Sequence, residues 1–427
     1  MTTAPGKPVP RAARCIGGPT GLLTEHEIRA FIRDALSSAD LDGLSVCLVV
    51  PDGTRSCPLP LLIDEVHRNL HGRVTKLTAL IALGTHAPMS EQQLSRHLGH
   101  PEGGLATTYP GLVVRNHAWW DPATFVSLGT IPAHRMEELS DGLLSEEVEV
   151  RVNRAVVEHD VALVIGPVFP HEVVGFSGGN KYFFPGVGGQ DLIDVSHWLG
   201  ALITSAETIG SLGITPVRAL INEAASMITS RKLALCVVAS SGTDDLHAVS
   251  FGDSESAWAA AAEVSAESHV TYLEAPVKRV LSMMPTRYED IWTAAKGFYK
   301  LEPVVADGGE VIIYAPHITE VSRMHPEIHE IGYHCRDYFL SQWSRFRHFP
   351  WGVLAHSTHV RGSGTYDEVA GERARVKVTL ATGIPRDTVR AVGLDYLDPA
   401  EVDVEAYESD GETFVVPNAG ERLFRLR

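Results

Sequence analysis

The segment Pro170-His171-Glu172-Val-Val-Gly175-Phe-Ser177-Gly178-Gly179-Asn-Lys181, followed sixteen residues later by His197, places four kinds of reactive group in one short stretch. An imidazole exchanges a proton near neutral pH, and a neutral imidazole is a common ligand for nickel, zinc or copper. Consecutive small residues let backbone N–H groups converge on an anion, and a desolvated lysine amine is a nucleophile. Packing alone does not require this combination, so the segment points to an enzyme with a bound cofactor. It fits neither the phosphate-binding Walker loop nor the dinucleotide GxGxxG pattern. Each member taken singly also has a structural explanation: glycines that meet positive-φ demands, a surface lysine, and a histidine satisfied in the core beside Trp198.

Two strand ends upstream make the reading more specific. The apolar run Leu77–Leu83 enters Gly84-Thr85-His86, and Cys47-Leu-Val-Val-Pro opens into Asp52-Gly-Thr54-Arg55. Ligands of open α/β sheets collect just beyond the carboxyl ends of strands. His86 and His171 are therefore candidate general acid and base groups. Arg55 offers a bidentate fork for a carboxylate, and Lys296 in Trp292-Thr293-Ala-Ala-Lys296-Gly offers a point charge. His317, His325, His329, His334, His356 and His359 form a second cluster. His325 and His329 share a face if that stretch is helical, where they would contact a polar substrate or a metal.

The elements that must position these groups alternate between strand and helix. Residues 1 to about 20 are rich in Pro and Gly and read as an irregular lead-in. Thr24-Glu-His-Glu27 is a capping box, with Ile28, Phe31, Ile32 and Leu36 at helical spacing. Strand 44–50, a helix opened by Pro58 and Pro60, and strand 77–83 form a β-α-β unit, and Ser90-Glu-Gln-Gln93 caps the next helix. From 147 to 166 a strand (Val148-Glu-Val-Arg-Val152), a short helix and strand Val161–Ile165 deliver the chain to the opening segment. Residues 200–230 read as helical and Leu233–Ala239 as a strand. The pattern resets near 268. A helix over 287–300, a strand at 310–314 after a Gly-Gly turn, and a strand at 376–380 follow. The expected fold is α/β, two α/β domains with parallel-type sheets and an active site in the interdomain cleft. The domains span 1–268 and 269–407, with the tail 408–427 free to pack back on the first.

The chain has 427 residues, enough for two cores. Lys+Arg of 36 against Asp+Glu of 53 gives −17, which disfavours nucleic acid or an anionic membrane as a partner. The five cysteines, Cys15, Cys47, Cys57, Cys236 and Cys335, form no CxxC pair and suit a reducing compartment. With no apolar leader and no run near the roughly 18 apolar residues of a spanning helix, a soluble cytoplasmic protein is expected.

Across nearly the whole chain the sequence resembles the nickel-dependent lactate racemase family. The likeness rests on Asp52-Gly-Thr-Arg55, Gly-Thr-His86-Ala-Pro-Met, His171 through Lys181, His197, and Lys296 with its following Gly-Gly turn. It implies a nickel-pincer nucleotide, a pyridinium-bisthiocarboxylic acid mononucleotide of nickel, tethered covalently through Lys181 and with His197 as the protein ligand of the metal. By the same resemblance Asp52, Thr54, Ser177, Gly178 and Gly179 contact the cofactor, and His86 and His171 serve opposite faces of the substrate. Arg55, Lys296, Trp292 and Thr293 then hold a small 2-hydroxy acid, and cofactor-making proteins are implied as partners. One histidine takes the hydroxyl proton as hydride leaves C2; the planar keto acid turns, hydride returns to its other face, and the second histidine reprotonates oxygen.

Three departures from the family pattern bear on substrate. Ser56 follows Arg55 where proline is common, Thr293 stands where lactate enzymes have glutamine, and the segment from His317 to Tyr366 is longer and more polar. The expected substrate is lactate or a larger polar 2-hydroxy acid such as an aldonate. The alternatives are a cofactor- or nucleotide-binding protein without turnover, and other metal-dependent sugar-acid chemistry on the same fold.

Overall fold

Strand Ser45–Pro51 is apolar on both faces and buried from Val46 onward, which a sheet tolerates only at its centre. In the computed structural model, which describes residues 12–427, it occupies that place in a seven-stranded sheet. The strand order is Arg14–Gly17, Leu246–Asp253, Arg231–Ala239, Val161–Pro167, Ser45–Pro51, Lys76–Ala82, Leu112–Asn116. The last five pair in parallel, and the first two add an antiparallel edge. A second sheet of five parallel strands runs Asp395–Tyr396, Lys377–Thr382, Val305–Ala315, Val277–Met283, Thr413–Val416.

The order of the large sheet reverses between Ser45–Pro51 and Val161–Pro167. The chain leaves the first toward Lys76–Ala82 on one side, and leaves the second toward Arg231–Ala239 on the other. Such a switch point opens a crevice beyond the strand ends. Asp52 to Arg55 follows one of these strands and His171 the other, and His86 lies just past the neighbouring strand Lys76–Ala82.

Local chemistry sets the helices. Thr24 and Glu27 exchange side-chain and backbone hydrogen bonds at the start of Glu25–Ser37, and Ser90 and Gln93 do the same for Glu91–Leu98. Helix Gln190–Ile203 carries His197 and packs against helix Trp351–Arg361, which carries His356 and His359. Asp194 of the first accepts a hydrogen bond from the Gly352 N–H at the start of the second (2.7 Å).

Several expectations need correction. The lead-in over 1 to about 20 falls partly outside the described residues, and Arg14–Gly17 is a short edge strand paired with Leu246–Asp253. The helix expected over 287–300 is two short ones, Ile291–Ala294 and Lys296–Tyr299. Asp290 caps the first by accepting from the Thr293 N–H, so helix cannot begin earlier, and Pro303 lies just beyond the second. The Gly308-Gly309 pair lies within strand Val305–Ala315, at an irregularity in its pairing with Val277–Met283, rather than before it. The tail supplies strand Thr413–Val416 to the small sheet and strand Leu423–Leu426 to a pair with Val270–Leu273. Between them Glu421 accepts from the Ser56 and Gly242 N–H groups (2.8 and 2.7 Å).

Candidate active site

The strand ends, the glycine-rich loop and the helices of the second sheet meet around one cavity. It is lined by Asp52, Thr54, Arg55, His86, His171, Ser177, Gly178, Lys181, His197, Trp292 and Lys296. Thr293 instead faces an adjoining cavity that shares Asp52, Thr54, His86 and Trp292, and its hydroxyl is taken up by Asp290 (2.8 Å). Gly179 lies behind the wall, where an added Cβ would come 2.7 Å from Trp258.

The two candidate bases are held differently. His86 Nδ1 lies 2.5 Å from Asp52 Oδ2, and Asp52 Oδ1 accepts from the Thr54 N–H and hydroxyl (3.1 and 2.6 Å). Burial opposes ionisation of Asp52. The charge and hydrogen bond of His86 and the bonds from Thr54 outweigh it, so the carboxyl is held well below the usual range. A carboxylate on Nδ1 fixes the proton there and turns Nε2 outward as an acceptor. His171 Nδ1 accepts from the Val173 N–H (3.1 Å), which leaves the proton of the neutral ring on Nε2. Burial, then the charges of Lys181 and Arg55, hold this ring neutral far below the normal titration point. Glu172 Oε2 lies 3.2 Å from the same Nδ1, ready to receive a second ring proton.

The cavity concentrates cations in an acidic protein. Burial, then the charge of Arg55, lowers Lys181 to about 7 and Lys296 to about 8. Lys296 donates to the Thr293 carbonyl (3.1 Å). Arg55 has no hydrogen bond or ion pair among the described residues. Its guanidinium is thus free to take a carboxylate, the partner its fork fits.

The loop carrying Lys181 is rigidly seated. Ser177 Oγ accepts from the Phe169 N–H (3.0 Å), Trp258 Nε1 donates to the Ser177 carbonyl (3.0 Å), and Arg218 Nη1 donates to the Gly178 carbonyl (3.0 Å). Arg218 is fully buried and stacks 3.5 Å over the Trp258 ring. At Gly178, φ of 92° and a Cβ that would fall 2.6 Å from Val168 both demand glycine. The glycines are thus required by packing and backbone conformation as well as by anything the loop binds.

A family model, the lactate racemase N-terminal domain, matches residues 24–210. The chain is 26% identical over 283 residues to a lactate racemase of Thermoanaerobacterium thermosaccharolyticum, an alignment covering 64% of this chain and 59% of that protein. A crystal structure of a Thermotoga maritima protein superposes with a TM-score of 0.87 at 32% identity, covering 96% of this chain and 100% of that one. Residues 24–210 thus carry a lactate racemase N-terminal domain. The lactate racemase apoprotein of T. thermosaccharolyticum shares the fold, with a TM-score of 0.69 at 20% identity over 95% of this chain and 93% of that one.

The residues present suit the nickel-bearing group that the family resemblance implies. His197 Nδ1 donates to the Ile193 carbonyl (2.7 Å), which leaves Nε2 unprotonated, and burial lowers the ring to about 4, so it stays neutral as a ligand must. No group of three His, Cys, Asp or Glu side chains could hold a metal among the described residues. Lys181, an amine whose proton burial loosens to about 7, stands on the same cavity and is suited to anchor an organic group that would bring further ligands to a metal at His197.

Sequence reasoning missed Glu172 and Tyr299. Both line the cavity. Tyr299 stands three residues after Lys296, a spacing that signals one face only once that stretch is known to be helical. Of the histidine cluster, His325, His356 and His359 reach the cavity. His317 Nε2 bonds the Tyr288 carbonyl (3.0 Å), and His334 bonds Glu372 (2.8 Å). His329 is exposed on helix Ile328–Ile331, which begins after His325, so the expected shared face of His325 and His329 does not form. Among the described residues no helix is long and apolar enough to cross a membrane.

Proposed function

We propose that this protein is an isomerase that inverts C2 of a 2-hydroxy acid, a racemase or epimerase working by proton-coupled hydride transfer. The observation that carries the reading is the pairing of His86 and His171 on one cavity in complementary states, one with an acceptor nitrogen available and the other with a donor. Arg55 and Lys296 bind the carboxylate and fix C2. For the enantiomer whose hydroxyl faces His86, Nε2 of that ring takes the hydroxyl proton while Asp52 stabilises the imidazolium that forms. His171, made imidazolium when the substrate carboxylate offsets the charge of Arg55 and with Glu172 Oε2 3.2 Å from its Nδ1, returns its Nε2 proton to oxygen on the other side and is left neutral. The reverse direction uses the same two rings with their protons exchanged. Burial of the cavity walls excludes water and strengthens each of these interactions. The nickel-pincer nucleotide, held by Lys181 and His197, supplies the hydride acceptor when bound.

The test uses cofactor-loaded protein and single enantiomers of 2-hydroxy acids in deuterated water. Inversion without deuterium at C2 is expected, because the C2 hydrogen travels as hydride. Rapid deuteration at C2 would replace this reading with enolisation. A cofactor carrier without turnover would show a Lys181-linked adduct by intact mass and no inversion of any acid.

A further inference from the structure

His359 lies on helix Trp351–Arg361, is 4% exposed and lines the candidate active-site cavity. Both of its ring nitrogens are buried, and neither has a hydrogen-bond partner among the described residues. An orphaned donor and acceptor in a folded interior are costly to retain, and they point to atoms that arrive with a ligand. One turn earlier His356 stacks on Trp292 at 3.9 Å, and its nearest polar partner is Tyr333 Oη at 3.5 Å, too far for a strong bond. His325 also stacks on Trp292 at 3.9 Å and has an unpartnered Nε2. Three imidazoles with spare hydrogen-bonding capacity thus line the cavity that holds His86, His171, Arg55 and Lys296.

The charge state of these rings selects the ligand chemistry. Burial lowers both His325 and His359 to about 4, so at neutral pH each presents one donor and one acceptor and no charge. A second carboxylate or a phosphate would call for cations, and an alkyl chain would leave every nitrogen unpaired. A hydroxyl, itself donor and acceptor, satisfies a neutral imidazole on either nitrogen.

We infer that His359, with His356 and His325, forms a hydroxyl-recognition subsite for the part of the substrate beyond C2, so that the preferred substrate is a polyhydroxylated 2-hydroxy acid. This inference rests on the C2-inversion reading and names its substrate class.

The test compares two acids of equal chain length with cofactor-loaded protein: a six-carbon aldonate and 2-hydroxyhexanoate. A site built to bond hydroxyls rejects an analogue lacking them, so kcat/KM should favour the aldonate by at least about 100-fold. His359→Phe, which keeps the volume and removes the orphaned atoms, should cut that ratio at least tenfold. Equal kcat/KM for the two acids in the unaltered protein would overturn the subsite and leave C2 inversion standing, as would a ratio unmoved by His359→Phe. If neither acid is inverted, the reaction reading fails and calorimetric binding to the unaltered protein decides the subsite. Tighter binding of the aldonate would support it, and equal or weaker binding would overturn it.

Discussion

The two walls of the cavity are built on different principles. On the wall from the seven-stranded sheet, His86 is tied to Asp52, His171 to the Val173 N–H and His197 to the Ile193 carbonyl, so each ring has its tautomer fixed by a partner behind it. On the other wall, His325, Trp292 and His356 from the second half of the chain form a stack of rings that Trp119 extends, with His359 beside it and several nitrogens unpaired. A ring oriented from behind is prepared for a fixed chemical task. A stacked ring with free nitrogens is prepared for whatever atoms a ligand brings. The contrast assigns chemistry to the first wall and substrate choice to the second. Bonds tie the two walls together, among them Trp119 Nε1 to the His86 carbonyl (3.0 Å) and the Gly352 N–H to Asp194 (2.7 Å).

The first way to break this division is Lys181→Ala. The variant should lose both the covalent adduct, read by intact mass, and all inversion; retained inversion would remove Lys181 from the chemical wall. Next in size, His86→Ala and His171→Ala should each lower kcat by about 100- to 10,000-fold, the usual worth of a general acid or base. A variant that kept full inversion would show that its wall position carries no proton.

Smaller effects follow from the buried amines. Lys181, Lys296 and Lys300 are lowered to about 7, about 8 and about 7, each chiefly by burial, whereas a free lysine titrates near about 10.4. Between those values the unfolded chain binds more protons than the folded one, so these three groups make the cofactor-free protein more stable as pH rises from about 7 to about 10. Lys181→Met should raise the melting temperature at pH 6 by roughly 2–4 °C, what about 1 kcal/mol is worth in a large domain. No rise would place the amine in a wetter setting than the chemical wall requires. Last, Trp292→Leu removes two stacked pairs worth about 0.5–1.5 kcal/mol each beyond their area. Denaturant unfolding should register the loss, and adduct formation at Lys181 should persist, because the stack belongs to the other wall.

Much of the chemical wall was legible because it depends on local order. An apolar run followed by a polar turn announces both a strand and what stands at its end, and the capping boxes at Thr24 and Ser90 mark helix starts within four residues. The second wall was legible only as a crowd of histidines. Which of them face the cavity depends on where helix Trp351–Arg361 packs, and that is set by contacts with Gln190–Ile203 across a long stretch of chain. The helix expected over 287–300 failed for a related reason: periodicity runs on past a cap, and only the bond from the Thr293 N–H to Asp290 shows where the helix begins.

The sequence by itself determined the parallel α/β architecture and the candidate chemical groups, because burial on both faces of a strand and the bond-making capacity of a side chain are properties of residue type and spacing. The tertiary structure alone decided how those groups are tuned. Carboxylates, backbone donors and buried cations reach them from distant segments, and a protonation state or a free nitrogen is fixed by what lies within a few ångströms in space.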